Sequence, residues 1–269
     1  MNIPLILGKK LNGEELVADL TKLPHLLIGG LPGSGKSNLI INIIDELAAR
    51  KSPDEVKFLL IDPKVVELNN LAKRVKDHLY QPVEPESGAP YTNFNDACAA
   101  ISGLCTELAS RYDLLRESHC RSIEEYNRKN EVKIPYIILV IDEYADLILM
   151  TDDFDFVEDD DCDNQIEEDE DFEHGFSFTT SVLRLAQAGR TVGIHVMLST
   201  QRPSSDIVNG IIKASFPARI AFKVNQKKDS RVLIDRSGAE LLSSPGDFIW
   251  SACGELDFAH APLSKDCQQ

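Results

Sequence analysis

Apolar positions along the chain fall into short continuous runs, separated by stretches in which apolar residues recur every three or four positions. Four runs that are apolar almost throughout cover residues 25–28, 56–61, 136–141 and 194–199. Such runs are typical of strands buried on both faces, and the spacing between them is typical of amphipathic helices, as in 38–50 and 97–116. Alternating strands and helices predict an α/β fold: a mostly parallel sheet with helices on both faces.

The two ends of the chain have a different pattern. Strand-like segments on either side of Asn12 and Gly13 predict a hairpin within residues 1–25, and residues 247–261 predict a terminal hairpin that turns near Gly254. A further helix is expected over 178–190 and a further strand over 218–224. We therefore expect residues 1–269 to form a single domain.

The most specific motif lies between the first buried strand and the helix that follows it. The sequence G-L-P-G-S-G-K-S over residues 30–37 matches the pattern of a phosphate-binding loop. Its backbone N–H groups would surround the phosphates of ATP, Lys36 would contact the β- and γ-phosphates, and the Ser37 hydroxyl would bind Mg²⁺. The alternative is a glycine-rich turn with a surface lysine, but the flanking strand and helix favour the loop. The predicted ATP-binding residues are Gly30, Leu31, Pro32, Gly33, Ser34, Gly35, Lys36, Ser37 and Asn38.

Acidic and amide side chains follow two other predicted strands. Asp142 and Glu143 come directly after the run at 136–141, and Gln201 comes shortly after the run at 194–199. Because the carboxyl ends of parallel strands meet at one edge of a sheet, these side chains are expected near the phosphate loop. We predict that Asp142 binds Mg²⁺, that Glu143 polarises the attacking water, and that Gln201 contacts the γ-phosphate or that water. The alternative is strand ends that are simply solvated.

Composition changes this picture only in one place. The net charge of −16 argues against a nucleic-acid-binding protein, but residues 152–173 hold 14 of the 44 acidic residues and no basic ones. The rest of the chain is nearly balanced. We expect residues 151–178 to be an acidic, disordered insertion. A sharper hypothesis is that this segment mimics DNA, in which case deleting 152–173 should raise DNA affinity at low salt.

Other features exclude several classes of protein. No apolar run is long enough to span a membrane and no signal peptide is evident, so we expect a cytoplasmic chain, or one that associates with a membrane only through other regions or partners. The six cysteines form no C-x-x-C pair, which favours free thiols over a metal or redox site.

Taken in order, the motifs resemble those of the motor domain of FtsK/SpoIIIE-type DNA translocases. The resemblance covers nearly the whole chain except 151–178, and the combined motifs are far more specific than the phosphate loop alone. The matching segments are residues 24–37, 60–64, 123–127, 140–147, 185–187, 193–203, 219–222, 229–231 and 246–247.

The resemblance implies a RecA-like core that hydrolyses ATP with Mg²⁺, a homo-hexameric ring, and double-stranded DNA threaded through its centre. It also implies an arginine that acts on the ATP of the neighbouring subunit. Arg190 matches that position best, and the other arginines considered are Arg184, Arg202, Arg219 and Arg231.

Movement along DNA of any sequence requires contacts to phosphates. Two basic clusters are hypothesised to provide them: Lys223, Lys227, Lys228 and Arg231 in one, and Arg128, Lys129 and Lys133 in the other. Both patterns are also typical of ordinary solvated surfaces.

Three other functions remain open at this point. A related secretion ATPase would drive protein export and would not respond to duplex DNA. A small-molecule kinase would need an arginine-rich lid, whereas the long insertion here is acidic. A nucleotide-binding regulator that does not hydrolyse ATP would not need Glu143.

Overall fold

One mixed sheet of nine strands runs through the part of the protein that our computed structural model describes, residues 3–64, 67–86, 88–151 and 177–262. The predicted acidic stretch at 152–173 lies outside these residues. The strands are β1 (Pro4–Lys10), β2 (Glu15–Asp19), β3 (His25–Gly29), β4 (Val56–Ile61), β5 (Tyr136–Ile141), β6 (Ile194–Thr200), β7 (Ala218–Phe222), β8 (Asp247–Ala252) and β9 (Glu255–His260).

The strand order is β2-β1-β9-β8-β7-β3-β6-β5-β4. The five strands from β7 to β4 are parallel, and the other four extend the sheet as antiparallel neighbours. β1 and β2 pair where the sequence predicts the first hairpin, and β8 and β9 pair where it predicts the terminal one. The predicted α/β class with a mostly parallel central sheet is confirmed, and β3 is the second of the five parallel strands, between β7 and β6.

Eight α-helices lie in the described part of the chain. They are α1 (Lys36–Arg50), α2 (Asn69–Arg74), α3 (Phe94–Glu117), α4 (Ile123–Lys129), α5 (Tyr144–Ile148), α6 (Phe178–Ala188), α7 (Gly210–Ser215) and α8 (Lys227–Ile234). None of the helices described is both long and apolar enough to cross a lipid bilayer.

The sheet separates two apolar layers. On one face, the buried side of α1, with Leu39 and Ile43, packs against alternate residues of the parallel strands such as Ile28. On the other face, α3 and α6 cover the remaining strand residues through side chains such as Leu104 and Leu185. Because successive strand residues point to opposite faces, continuous apolar strands are what two covered faces require.

Several element boundaries differ from the sequence-based expectation; the helix expected over 97–116, for example, spans Phe94–Glu117. The helix predicted over 178–190 ends at Ala188, and a 3₁₀ turn, Gly189–Val192, follows it, so Arg190 lies in a tight turn rather than in an α-helix. The strand predicted over 218–224 ends at Phe222. The helix after the phosphate loop begins at Lys36, two residues earlier than its apolar spacing suggested.

Candidate active site

The predicted phosphate loop connects the carboxyl end of β3 to the start of α1, within the parallel part of the sheet. Gly35 adopts the left-handed region with φ of 114°. A Cβ there would lie 3.1 Å from the Phe222 ring and 3.2 Å from the backbone of Gly246. The Gly246 N–H also donates a 2.9 Å hydrogen bond to the carbonyl oxygen of Ser34. The loop is therefore held from outside by the start of β8, and position 35 requires glycine.

Lys36 is almost fully buried inside this loop. Its ammonium donates hydrogen bonds to the carbonyl oxygens of Gly30 at 2.8 Å and Leu31 at 2.9 Å. Burial lowers the pKa of Lys36 to about 8, and the nearby carboxylates of Asp142 and Glu143 oppose that fall. An ammonium that is held by backbone carbonyls can exchange them for the oxygens of a phosphate.

Asp142 follows β5 at the same edge of the sheet and is 5% exposed. Burial raises the pKa of this carboxyl to about 6; the neighbouring carboxylate of Asp62 adds to the rise, whereas Lys36 opposes it. Asp62 follows β4, and its own carboxylate accepts backbone N–H groups of Lys64, Glu67 and Leu68. Asp62 therefore fixes the loop after β4, while Asp142 stands beside Lys36.

The side chains at this edge fit a magnesium ion. The Ser37 hydroxyl, at the first turn of α1, and the Asp142 carboxylate offer the oxygen ligands that Mg²⁺ prefers. Among the residues described here, the buried hydroxyl of Ser34, in the phosphate loop, has no hydrogen-bond partner. Buried hydroxyls normally find a partner, so an unpaired one in this loop is consistent with a site that completes its bonding with a ligand.

Glu143 has a strained backbone and a crowded carboxylate. Its φ and ψ are 63° and 65°, which is uncommon for a residue with a side chain. The carboxylate accepts hydrogen bonds from the Thr200 hydroxyl at 3.2 Å and from the Gln201 N–H at 3.0 Å. The Lys64 ammonium contacts it at 3.2 Å and also lies 3.4 Å from Asp146. Two segments, the loop after β4 and the end of β6, thus hold this side chain in one place.

Gln201 lies next to Glu143, but its backbone N–H makes that contact. An open cleft of about 240 Å³ runs between the phosphate loop and the segment after β6, and Gln201 and Arg202 line it together with Asn225. Asn38 directs its side-chain amide at the carbonyl oxygen of Pro262, 2.9 Å away, rather than at the loop. The catalytic and binding roles given to these residues remain predictions.

Arg190 lies at the opposite edge of the sheet. Its turn precedes β6, whereas the phosphate loop follows β3, which is the parallel neighbour of β6. A strand of seven residues such as β6 is about 20 Å long, so this exposed arginine cannot reach Lys36 of its own chain. Arg219 forms an ion pair with Asp235, so its guanidinium is already bound within its own chain.

The two basic clusters also lie at opposite edges. The cluster beside the phosphate loop follows β7, and the carbonyl oxygen of Lys223 accepts a 2.8 Å hydrogen bond from the Leu31 N–H. The other cluster lies at the end of α4 and in the loop before β5, and its Lys129 forms an ion pair with Glu125 at 2.7 Å. Every basic side chain in both clusters is exposed.

Sequence reasoning did not assign roles to Lys64 and Thr200, although both contact Glu143. A signal for them was available. Lys64 follows β4, and Thr200 is the last residue of β6. Both strands are parallel neighbours of β5, which leads into Asp142 and Glu143, so these polar side chains fall at the same edge of the sheet.

Comparison with known proteins places this site in a family. The model of the FtsK/SpoIIIE family matches residues 1–205, which include the phosphate loop and all the strands from β1 to β6. The chain belongs to the FtsK/SpoIIIE family. The resemblance noted from the motifs is confirmed, and the chain is a P-loop ATPase domain.

Its relatives include DNA translocases named FtsK. The one from Treponema pallidum is 41% identical over 259 residues, covering 93% of this chain and 28% of its own length. The one from Chlorobaculum tepidum is 41% identical over 254 residues, covering 94% of this chain and 29% of its own length. This chain thus spans less than a third of the length of these curated relatives.

Solved structures share the fold at lower identity. The conjugation coupling protein TcpA of pCW3, in its monomer form with ATPγS, superposes with a TM-score of 0.76 at 24% identity, over 100% of this chain and 68% of its own. The type VII secretion ATPase EccC of Thermomonospora curvata gives 0.75 at 22% identity, over 97% of this chain and 28% of its own.

Proposed function

We propose that this chain is a motor that hydrolyses ATP to move double-stranded DNA. One observation carries the proposal: Lys36, Asp142 and Glu143 lie together at one edge of the sheet, while Arg190 lies at the other. Names of relatives at 41% identity support DNA as the substrate, but they describe proteins more than three times as long.

At the first edge, each side chain has a distinct task. Lys36 exchanges its carbonyl partners for the terminal phosphates of ATP. Ser37 and Asp142 would hold Mg²⁺, which when bound neutralises charge on the phosphates. Glu143 accepts a hydrogen bond from the attacking water and orients it, and Gln201 stands next to it in the cleft.

At the second edge, Arg190 serves the neighbouring subunit. An arginine that stabilises charge on the transferring phosphoryl group accelerates hydrolysis by about a thousandfold or more. Because a subunit offers its arginine on one edge and its phosphate loop on the other, contacts between subunits are head-to-tail, and such contacts form a ring when the rotation from copy to copy closes. We infer a homo-hexamer.

Duplex DNA then contacts exposed basic side chains facing the centre of the ring. We favour the cluster of Lys223, Lys227, Lys228 and Arg231, because its first residue accepts a hydrogen bond from the phosphate loop and so connects the cluster directly to the nucleotide site. Contacts of this kind carry no sequence information, as a general motor requires. We infer a cytoplasmic location for this activity.

Protein export is the second function, and the likeness in fold to the secretion ATPase EccC favours it. The two are separated by the response of ATP hydrolysis to DNA. We expect duplex DNA to raise kcat several-fold. The affinity for duplex DNA should fall as the salt concentration rises, as is typical of phosphate contacts. An export motor would hydrolyse ATP at the same rate with and without duplex.

Two variants serve as controls for this measurement. Lys36→Ala should lose nucleotide binding, and Glu143→Gln should keep binding but lose turnover. If the Glu143→Gln variant hydrolyses ATP at the normal rate, the assignment of the water-orienting residue is wrong.

A further inference from the structure

Helix α3 links the two edges of the sheet. It begins at Phe94, shortly after Tyr91, whose backbone is hydrogen-bonded to Leu60 and Asp62 at the end of β4. With 24 residues the helix is about 36 Å long. Its second half therefore reaches the edge where Arg190 lies, and a single rigid element touches the surroundings of both sites.

Two consecutive residues of α3 hold the backbone on either side of Arg190. The Tyr112 hydroxyl donates a 2.8 Å hydrogen bond to the carbonyl oxygen of Ala188, two residues before the arginine. The Arg111 guanidinium donates a 2.9 Å hydrogen bond to the carbonyl oxygen of Val192, two residues after it. The turn is thus fixed at both ends, while the Arg190 side chain stays exposed.

Arg111 is an unusual residue for this place. It is 4% exposed on a helix face whose other buried residues are apolar, and its Nε donates a 2.8 Å hydrogen bond to Glu107. A buried guanidinium is costly unless it is paired and hydrogen-bonded. Here the hydrogen bond to Val192 in the turn, together with the pairing to Glu107, offsets the cost of burying the guanidinium.

The turn also packs tightly against the sheet. A Cβ at Gly189 would lie 2.4 Å from the carbonyl oxygen of Ile194, the first residue of β6. The backbone of the turn is therefore pressed onto the sheet on one side and bonded to α3 on the other. Little freedom is left except in the arginine side chain itself.

We propose that Arg111 and Tyr112 are positioning residues that aim Arg190 at the nucleotide of the neighbouring subunit. This inference rests on the proposed function, in which Arg190 acts across the subunit contact. Rigid presentation matters because a displacement of about 1 Å can cost roughly a hundredfold in rate. A turn fixed by two side chains prevents such a displacement.

Tyr112→Phe tests the proposal, because it removes only the hydroxyl. We expect kcat for DNA-stimulated ATP hydrolysis to fall about tenfold, against about a thousandfold for Arg190→Ala. Binding of a fluorescent ATP analogue should stay within about twofold, since the variant's own phosphate loop is untouched. The double variant should be no slower than Arg190→Ala alone.

A matched control is Cys105→Ala. Its thiol makes another contact from α3 to α6, 3.9 Å from the carbonyl oxygen of Ser181, away from the arginine turn. This variant should keep its kcat. A general loosening of α3 would instead lower kcat in Cys105→Ala and Tyr112→Phe alike.

Mixing subunits separates positioning from damage to the fold. Subunits with Lys36→Ala lack their own site but offer an intact Arg190, so they should restore hydrolysis when mixed with Tyr112→Phe or Arg190→Ala subunits. A variant that damaged its own nucleotide site would gain nothing from the mixture.

The outcomes are distinguishable. If Arg190→Ala is slow but Tyr112→Phe keeps the normal kcat, or gains nothing from mixing, the positioning proposal is wrong and the trans arginine stands. If Arg190→Ala hydrolyses ATP normally, both the positioning proposal and the action of Arg190 on the neighbouring subunit are wrong. Slow hydrolysis by Tyr112→Phe with recovery on mixing supports the proposal.

Discussion

At the scale of single residues, Glu143 is the most constrained group in the site. Its backbone lies in the left-handed region at a cost of about 1–3 kcal/mol, and its buried carboxylate contacts Lys64, Thr200 and Gln201. A carboxylate engaged in this way must give up part of its bonding before it can orient a water molecule. Each partner therefore affects both the stability and the activity of the chain.

Lys64→Ala tests this constraint. Removing the ammonium leaves a buried carboxylate without its cation, and we expect the free energy of unfolding to fall by about 2 kcal/mol; the loss is less than for a fully buried pair because Lys64 is partly exposed. The measurement is urea unfolding followed by the fluorescence of Trp250, the single tryptophan. Lys10→Ala, which breaks the surface pair with Asp257, should cost less than about 1 kcal/mol. Equal losses in the two variants would contradict the expectation.

Nucleotide binding should have a bell-shaped pH profile. The pKa of Asp142 is raised to about 6 and that of Lys36 is lowered to about 8, in both cases chiefly by burial. Below the first value Asp142 becomes neutral and loses its attraction for Mg²⁺, and above the second Lys36 loses its charge, so the affinity for Mg²⁺–ATPγS should fall on both sides. A flat profile of the dissociation constant between pH 5 and 9 would rule this out.

At the scale of elements, two neighbouring strands begin with a buried pair of histidines. His25 on β3 and His195 on β6 have ring centroids 6.3 Å apart. The His195 Nδ1 bonds the carbonyl oxygen of Pro24 at 2.8 Å, and the His25 Nδ1 accepts the Val196 N–H at 3.0 Å. Burial lowers the pKa of His25 to about 3 and that of His195 to about 4. Both rings are therefore neutral in the folded protein near neutral pH.

Acid should destabilise this strand pair in a defined range. Below pH 6.5 both histidines become protonated in the unfolded chain but stay neutral in the folded chain. The free energy of unfolding therefore falls as the pH decreases from about 6.5 towards 4, by about 1.4 kcal/mol per pH unit for each histidine. Urea unfolding at several pH values measures the slope. His195→Asn keeps a donor for Pro24 and should remove its own share of the slope, leaving that of His25, whereas the exposed His260→Asn should leave the slope unchanged. A slope that does not change in His195→Asn would refute the assignment.

How far the sequence predicted these elements depends on their length and surroundings. All nine strands lie where hydrophobic pattern or turn residues indicated them, because strands covered on both faces are apolar throughout. The helices α2, α5, α7 and α8 were not predicted, since eight residues or fewer give too little periodicity. The edge of the sheet that carries the site could be predicted, because the phosphate-loop motif marks the end of one strand and the ends of its parallel neighbours lie beside it. The burial of Arg111 did not, because a charged residue on an amphipathic helix is ordinarily assigned to the solvent side.

At the scale of the whole molecule, the placement of Arg190 makes each proposed site incomplete in a single chain. The distance along β6 separates the arginine from the phosphate loop of the same subunit, so the proposed contact between them requires two copies of the chain. The proposed contact joins the arginine edge of one copy to the phosphate-loop edge of the next, so the same contact can repeat from copy to copy.

ATP hydrolysis should therefore depend on protein concentration. The specific activity of the isolated chain, measured per mole, should rise steeply as copies associate and then level off, and the particle mass from light scattering should rise over the same range. Arg190→Ala should associate in the same way but stay at the low rate. A specific activity that stays constant while the particle mass rises from one chain to several would show that single chains hydrolyse ATP on their own.

In the proposed ring, the two-edged arrangement would also give the assembly a direction. Every copy would serve the neighbour on one side and be served from the other, so an Arg190→Ala copy would silence one site only, and always the site on the same side of it. Adding such copies in increasing doses to normal ones then measures how the sites fire. Output that declines in proportion to the dose means that each site fires independently, whereas a collapse at small doses means that the sites fire in a fixed order around the ring.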